Sequence, residues 1–221
     1  MKNLALLISA ALVSTSAAAT GYYGDNKSTV KIKNNSDGNH VTIYQDSPGS
    51  YDGNTSDVLI DYGSDHNYVT VNQYGEKNKS DVDINYNSDN NSVYVSQTGY
   101  YNDSKVGINH YADDNTVGVY QDGYFNYSDV YINKGDWNNV HVDQYGNYNM
   151  SDVDILGENA DYNYVSVSQG GDYSKSKVLI SDGYYGPTSY NTVHVTQTNN
   201  DYSNVEITHG SSYNTVYVTQ Y

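Results

Sequence analysis

The residues in this sequence that are best suited to chemistry are paired carboxylates. Asp81 and Asp83 form one acidic pair, and Asp152 and Asp154 form another. Such pairs can act as general acid and base in glycoside cleavage. Each pair recurs as part of a repeat, however, and no single break in the pattern predicts a cleft. We therefore expect that the protein is not an enzyme and has no catalytic residues.

Histidine and acidic residues could also bind metal ions. The six histidines are dispersed along the chain, at His40, His66, His110, His141, His194 and His209. His141 and His194 fall on outward strand positions two repeats apart, which is too far for one ion. The chain has no Cys, and the nonapeptide of calcium-binding solenoids is absent. We expect no metal site and no cofactor, although weak calcium binding at the acidic surface stays open.

The composition of the chain argues against binding to nucleic acids. The chain of 221 residues has 26 acidic residues, ten Lys, no Arg and a formal charge of −16. A phosphate backbone requires a basic surface, so we expect no nucleic-acid binding. The 28 Tyr could form aromatic ladders or adhesive contacts, or they could simply suit exposed strands and turns.

Amide side chains recur at a regular spacing, and their chemistry is hydrogen bonding along a stack. The motif Asn-x-Val-x-Val/Ile-x-Gln occurs eight times. Its Asn and Gln residues are Asn39 and Gln45, Asn67 and Gln73, Asn91 and Gln97, Asn115 and Gln121, Asn138 and Gln144, Asn163 and Gln169, Asn191 and Gln197, and Asn214 and Gln220. Stacked Asn and Gln form ladders in cross-β structures. We predict that these residues form self-assembly ladders; the alternative is that they only close the ends of each turn.

A second motif, Ser-x-Val-x-Ile, alternates with the first. Its eight copies begin at Ser28, Ser56, Ser80, Ser104, Ser128, Ser151, Ser176 and Ser203. Both motifs have a period of two, which predicts strands with one buried face. After residue 19, all 32 Val and Ile residues occupy the two aliphatic positions of these sixteen strands. β-Branched side chains suit such strands.

Two arrangements fit sixteen short strands. A meander of hairpins would leave a Val/Ile face uncovered, whereas stacked β-arches bury both faces in one core. We therefore predict an all-β, cross-β fold. It is a β-solenoid of eight stacked strand-turn-strand repeats, with two parallel in-register sheets around a Val/Ile core. Gly and Asn in the linkers supply the turns.

The first 19 residues have the features of a secretory signal peptide. Lys2 is followed by an apolar run and by Ala17-Ala18-Ala19, a small-residue cleavage site. We predict a signal peptide at 1–19, a short N-terminal segment at 20–27 and solenoid repeats at 28–221. No later segment is apolar enough to span a bilayer, so we expect no membrane insertion.

The segment from Asn67 to Ile84 resembles the curlin repeat. It reads Asn67-x-Val-x-Val-x-Gln73-x-Gly75-x-x-Asn78-x-Ser80-x-Val-x-Ile84. The curlin repeat reads Ser-x5-Gln-x-Gly-x-x-Asn-x-Ala-x3-Gln. The pattern recurs over nearly the whole chain, and Gln220-Tyr221 is similar to the end of the family's major subunit. The resemblance implies a bacterial extracellular functional amyloid of the biofilm matrix. It also implies export through an outer-membrane secretion channel and growth from a membrane-attached nucleator subunit.

Self-assembly also follows from the pattern of the ends, where we find no capping repeat. Uncapped end strands are templates for a further copy, so we expect a homopolymeric fibre. Outward-pointing aspartates resemble the family's gatekeepers, which slow premature assembly; they are Asp81, Asp83, Asp129, Asp152 and Asp154. A solvated acidic face is the alternative reading. The alternative function is a soluble β-solenoid that binds ice, polysaccharide or calcium through its Tyr, Thr and Asp faces.

Overall fold

The computed structural model describes residues 12–19, 25–48, 52–183 and 186–221, and of residues 12–19 it describes only the backbone. The predicted cleavage point after Ala19, the rest of the leader and residues 20–24 lie outside the described residues. The described ranges contain the strands of all eight predicted repeats, so the structure tests the predicted solenoid in every repeat.

The described strands form two parallel sheets. One sheet contains the odd-numbered strands in chain order: β1 (Leu12–Ala19), β3 (His40–Ser47), β5 (Tyr68–Glu76), β7 (Ser92–Tyr100), β9 (Thr116–Tyr124), β11 (Asn139–Asn147), β13 (Tyr164–Gly170), β15 (Thr192–Gln197) and β17 (Thr215–Thr219). The other sheet contains the even-numbered strands: β2 (Lys27–Ile32), β4 (Thr55–Ile60), β6 (Lys79–Asn85), β8 (Asp103–Asn109), β10 (Tyr127–Asn133), β12 (Met150–Leu156), β14 (Lys175–Ser181) and β16 (Tyr202–Thr208). This arrangement confirms the predicted solenoid of eight β-arches.

The register places like residues above one another. Val82 of β6 aligns with Val106 of β8, and Gln73 of β5 aligns with Gln97 of β7. Each arch crosses from one sheet to the other, so the next arch returns to the first sheet one rung further along. Insertions therefore fall in the turns and leave the register of the strands unchanged.

The core lies between the two sheets and consists almost entirely of the predicted aliphatic positions. All of the 32 Val and Ile residues are buried except Val30, Ile32, Val216 and Val218, which are partly buried. These four belong to β2 and β17, each of which pairs with a single neighbour among the described strands. The hydrophobic column is therefore closed along its length and open towards its end strands.

Strand β1 falls within the segment that the sequence predicts to be a signal peptide outside the fold. It pairs with β3 in parallel, from Leu12 opposite His40 to Ala19 opposite Ser47. The physical reason is that β3 would otherwise carry a row of unpaired backbone groups, which an extended apolar segment can satisfy. Removal of residues 1–19 at the predicted site would leave β3 as an edge strand.

The carboxyl ends of β5, β7, β9 and β11 require glycine. Gly75, Gly99, Gly123 and Gly146 have φ between 106° and 127°. A Cβ on Gly99 would lie 2.1 Å from the carbonyl oxygen of Gly123 in the next rung. A side chain at these positions would therefore push consecutive rungs apart. Among the described residues, no helix is long and apolar enough to cross a membrane.

Candidate functional site: side-chain ladders along the solenoid

The eight glutamines of the first motif form a continuous ladder, which is buried from Gln45 to Gln197 and partly buried at Gln220. In each of the first seven, Nε2 donates to Oε1 of the glutamine in the next rung, from Gln45 to Gln73 at 2.7 Å through to Gln197 to Gln220 at 3.0 Å. Each Nε2 also donates across the core to a backbone carbonyl at the start of the facing even-numbered strand, as Gln97 does to Lys79 at 2.7 Å. The glutamines thus join successive rungs and also join the two sheets.

The eight asparagines of the same motif form a second ladder, through the backbone. The N–H of each asparagine donates to Oδ1 of the asparagine in the preceding rung, at 2.8–3.0 Å over the seven steps. Several Nδ2 groups donate to a carbonyl in the turn of the next rung, as Asn91 does to Ala112 at 2.8 Å. The structure therefore places all sixteen predicted ladder residues in two ladders.

The two ladders run in opposite directions. In the glutamine ladder, the side-chain donor points towards the following rung. In the asparagine ladder, the side-chain acceptor points that way instead. The column consequently has distinct ends, because the pattern of donors and acceptors at one end differs from the pattern at the other.

A third ladder, which the sequence reading assigned only to turn formation, lies at the opposite end of the arch. It consists of Asn54, Asn78, Asn102, Asn126 and Asn149, each buried. Each Oδ1 accepts the backbone N–H of the next rung at 3.0–3.2 Å. Each Nδ2 donates to the carbonyl of the glycine or turn residue above it, as Asn78 does to Gly99 at 2.9 Å. The recurring Gly-x-x-Asn spacing is the signal that could have identified it.

A column of aspartates is a further ladder that sequence reasoning missed. Its members lie two residues before the ladder asparagines and are Asp37, Asp65, Asp89, Asp113, Asp136 and Asp161. Each backbone N–H of the first five donates to the carboxylate of the next rung at 2.6–2.9 Å. The carboxylates therefore stack one rung apart, and the signal in the sequence is the Asp-x-Asn spacing.

Burial and stacking change the acidity of this aspartate column. Burial raises the pKa of Asp113, Asp136 and Asp161, and the negative charge of other nearby carboxylates raises each of them further. The hydrogen bond from the backbone N–H of the preceding rung acts in the opposite direction. The stacked column is thus more stable when some of these carboxylates are protonated, because protonation removes the repulsion between them.

Seven of the eight serines of the second motif are buried, but they make no continuous ladder; Ser203 Oγ donates to Ser176 Oγ at 3.3 Å. Within the described ranges, the Oγ atoms of Ser56, Ser80, Ser104, Ser128 and Ser151 have no hydrogen-bond partner. Their side chains face the core beside the valines of the even-numbered strands. Serine therefore fits these five positions because it is small, and not because it forms a hydrogen bond.

The five predicted gatekeepers lie on the outer face of the even-numbered sheet. Asp81, Asp129 and Asp152 share one line of aligned residues, which also contains Lys105 and Lys177. Lys177 Nζ lies 3.7 Å from Asp152 Oδ2. Lysines therefore offset part of the negative charge along this line.

The other two gatekeepers occupy a second line of aligned residues. Asp83 stacks between Leu59 and Gly107, and Asp154 stacks between Tyr131 and Leu179. Burial raises the pKa of both carboxyls, and the neighbouring Asp81 and Asp152 raise them further. Their neighbours above and below are uncharged, so repulsion from Asp81 and Asp152 is the main electrostatic influence of the adjacent residues.

Aromatic rings stack at three turn positions, which we call the corner columns. They are Tyr62, Tyr86 and His110; Tyr101, Phe125, Tyr148 and Tyr173; and Trp137, Tyr162, Tyr190 and Tyr213. Neighbouring rings lie 4.6–6.1 Å apart between centroids, with interplanar angles of 12° or less. All have φ between 53° and 61°. Of the two sequence-based readings of Tyr, aromatic ladders describe these columns.

The acidic pairs and histidines do not form a compact reactive site in the described part of the chain. Asp81 and Asp83 point outward from a regular sheet face, as do Asp152 and Asp154. Ser166 lies between His141 and His194 in the register, which places the two histidines two rungs apart. Within the described ranges, no group of three or more His, Cys, Asp or Glu residues is placed to hold a metal ion.

Comparison with known proteins gives one match. The family model of the curlin-associated repeat matches residues 65–99, which confirms the resemblance inferred from the sequence. The matched segment contains the ladder residues of two rungs, together with Gly75 and Asn78. No curated protein and no solved structure matches the chain.

Proposed function

We propose that this chain, which carries a curlin-associated repeat at residues 65–99, is a secreted structural subunit. It stacks end to end into extracellular curli-type amyloid fibres that serve adhesion and the biofilm matrix. Its principal partner is a second copy of itself. A membrane-attached nucleator subunit and an outer-membrane secretion channel are the further partners that the family resemblance implies.

The observation that carries this proposal is the complementarity of the ladder ends. Gln45 Oε1, in the first rung, is buried and has no hydrogen-bond partner among the residues that the structure describes. Gln220 Nε2, in the last rung, donates to the carbonyl of Tyr202, and an amide nitrogen has a second hydrogen to donate. A copy placed on the first rung with its last rung would join these two groups and continue the glutamine ladder.

The asparagine ladder favours the same orientation. Asn214 Oδ1 is its last acceptor, and the N–H of Asn39 is its first donor. Stacking two first rungs together would instead bring Gln45 Oε1 against another Gln45 Oε1, and two acceptors repel each other. Head-to-tail contacts use different surfaces on the two copies and do not close, so they produce fibres.

The partly exposed end of the core supports the same contact. Val216 and Val218 on β17 point inward but are only partly buried. The first rung of another copy would cover them, with its β3 paired to β17 and its β2 paired to β16, and would thereby extend both sheets. Strand β1 occupies this position on β3, and an alanine aligns with Gln45. Removal of residues 1–19 would open the docking surface.

The test compares residues 20–221 with a variant at the open end. Val218→Lys places a charge in the end of the core, so we expect folded monomer and no fibre growth from that end. Thr219→Lys is the matched control, because Thr219 is exposed and points outward from the same strand. Thioflavin fluorescence and fibre diffraction, with reflections at about 4.7 and 10 Å, measure the outcome.

We expect residues 20–221 and the Thr219→Lys control to form seedable fibres, and the full chain from residue 1 to form them more slowly. A lasting folded monomer of residues 20–221, even with seeds, would contradict the proposal. It would favour a soluble solenoid that binds ice, polysaccharide or calcium through its outer faces.

A further inference from the structure

The corner columns bring tyrosines from different repeats into parallel pairs. Four pairs stack directly, with the distances given between ring centroids: Tyr62–Tyr86 at 4.8 Å, Tyr148–Tyr173 at 5.0 Å, Tyr162–Tyr190 at 4.9 Å and Tyr190–Tyr213 at 5.0 Å. Their interplanar angles are 4° or less. Residues 23–28 positions apart in the sequence thus hold their phenol rings side by side.

The local backbone does not favour tyrosine at these positions. A positive φ suits glycine or asparagine, and bulky residues rarely adopt it. Other rungs of the same turns use Asn34, Asn90 and Asn200, each with a positive φ. The tyrosine rings are also about half exposed, as in Tyr148 at 48% and Tyr162 at 48%. Neither local conformation nor burial therefore accounts for runs of tyrosine here.

Three properties of the pairs suit them to a covalent reaction. The rings are phenols, they are accessible to a solvent-borne oxidant, and each has a second phenol within contact distance. The chain contains no Cys, so it cannot form the disulfides that commonly reinforce exported proteins. A link between stacked tyrosines would supply an equivalent staple between rungs.

We propose that the corner columns are sites of oxidative tyrosine cross-linking. A one-electron oxidant, such as hydrogen peroxide used by a haem peroxidase, would convert tyrosines of neighbouring rungs to dityrosine. The links lie within one chain, so this inference goes beyond fibre formation and does not depend on it.

The reaction balances in atoms and electrons. Each of two phenols loses one electron and its hydroxyl proton, and one hydrogen peroxide accepts both electrons and both protons to give two waters. The two phenoxyl radicals form a carbon–carbon bond between their ring carbons ortho to oxygen. Each of these carbons then loses its hydrogen as a proton, and each phenolic oxygen regains one. The cross-linked chain is two hydrogens lighter per link.

The second column contains its own internal break. Phe125 lies between Tyr101 and Tyr148 and stacks with both, at 4.7 and 5.1 Å. Phenylalanine has no phenolic oxygen and cannot form the radical. We therefore expect a link between Tyr148 and Tyr173 but none from Tyr101 along this column.

The experiment oxidises the folded full chain with hydrogen peroxide and a haem peroxidase. Dityrosine fluorescence measures the yield, and mass spectrometry of proteolytic fragments identifies the linked residues. We expect the links to join the four stacked pairs of the corner columns and also to join Tyr100 with Tyr124, which stack in parallel outside these columns at 5.3 Å with an interplanar angle of 3°. Tyr173→Phe should remove the Tyr148 link, whereas Phe125→Tyr should add links to Tyr101 and Tyr148.

Tyr145→Phe is the matched control. Tyr145 is exposed to a similar extent, at 52%, but its register neighbours are Asp122 and Gly170, so its removal should leave the pattern unchanged. The urea-unfolded chain should give links without regard to column. Three results would overturn the proposal: the same links in the folded and unfolded chain, links at Tyr145 as frequent as at Tyr148, or no new link with Phe125→Tyr.

Discussion

At the scale of single residues, the ladder glutamines and the buried serines represent two different uses of a polar side chain. Gln121 accepts from Gln97 at 2.8 Å and donates to Gln144 at 2.8 Å and to the carbonyl of Asp103 at 3.0 Å. Ser128 is equally buried, but its Oγ has no hydrogen-bond partner in the described part of the chain. At similar burial, the amide of Gln121 therefore links three groups of the column, whereas the hydroxyl of Ser128 links none.

Replacement of these two residues should separate the two uses. Gln121→Ala leaves a donor on Gln97, an acceptor on Gln144 and the Asp103 carbonyl unpaired inside the column. We expect it to lower the free energy of unfolding by about 3 kcal/mol or more, since each of the three buried unpaired groups costs at least about 1 kcal/mol.

Ser128→Ala is the control, because it removes a buried hydroxyl that forms no hydrogen bond with the described residues. Stability should be unchanged or slightly higher. Urea unfolding followed by circular dichroism measures both variants. Equal losses of stability in the two would argue against the glutamine ladder as a stabilising element.

At the scale of elements, stacking places the turn aspartates of successive rungs close enough for each carboxylate to affect the pKa of its neighbours. The carboxylates of Asp89, Asp113 and Asp136 each accept a backbone N–H from the preceding rung, which fixes them at the rung spacing. The same spacing brings their charges together. The hydrogen bonds favour the ionised form, while burial and like charge favour the protonated form.

Stability of the solenoid should therefore depend on pH. The pKa values of Asp113, Asp136 and Asp161 are raised from the ordinary value of 3.8. A raised pKa in the folded state adds stability that is complete below the unfolded pKa and is lost as pH rises through the folded pKa. We expect a higher urea midpoint at about pH 4 than at about pH 7. The lowered pKa values of Asp61 and Glu158 act in the opposite direction.

Two variants test the origin of this pH dependence. Asp113→Asn with Asp136→Asn keeps the acceptor for the backbone N–H but removes the charge, so the difference between the two pH values should shrink. Asp122→Asn changes an exposed carboxylate outside the column and should leave the difference as it was. A pH dependence that is unaffected by the double variant would show that other groups cause it.

At the scale of the whole molecule, the formal charge of −16 opposes the approach of two copies. The gatekeeper aspartates concentrate part of this charge on the even-numbered sheet, which a fibre would extend from copy to copy. Lysines offset some of the charge along one line, but Asp83 and Asp154 have uncharged neighbours above and below. Two properties would slow assembly: the position of these aspartates on the even-numbered sheet and the net negative charge of the whole chain.

A matched pair of variants distinguishes position from net charge. Replacing Asp81, Asp83, Asp152 and Asp154 with Asn should shorten the lag of fibre formation at low salt. Replacing Asp46, Asp114, Asp122 and Asp143 with Asn changes the net charge equally but alters the turns and the other sheet. Thioflavin kinetics should show the larger effect for the first set. Equal effects would mean that net charge alone controls the lag.

The sequence by itself determined the strands, the core and two of the ladders. A period of two with Val or Ile at every inward position admits few other structures, because any shift of register would expose all of the aliphatic side chains at once. Gln45 through Gln220 and Asn39 through Asn214 could be assigned for the same reason, since they keep a constant phase within those strands.

Only the tertiary structure decided which turn residues act together. Asn78 and Asn102 are 24 residues apart, and Tyr148 and Tyr173 are 25 residues apart, so no local property joins them. Stacking by one rung brings each pair together and makes turn asparagines a ladder, aspartates a coupled column and tyrosines parallel pairs. The direction of the ladders also required coordinates, because an amide can donate towards either neighbour. That direction makes the two ends of the column complementary.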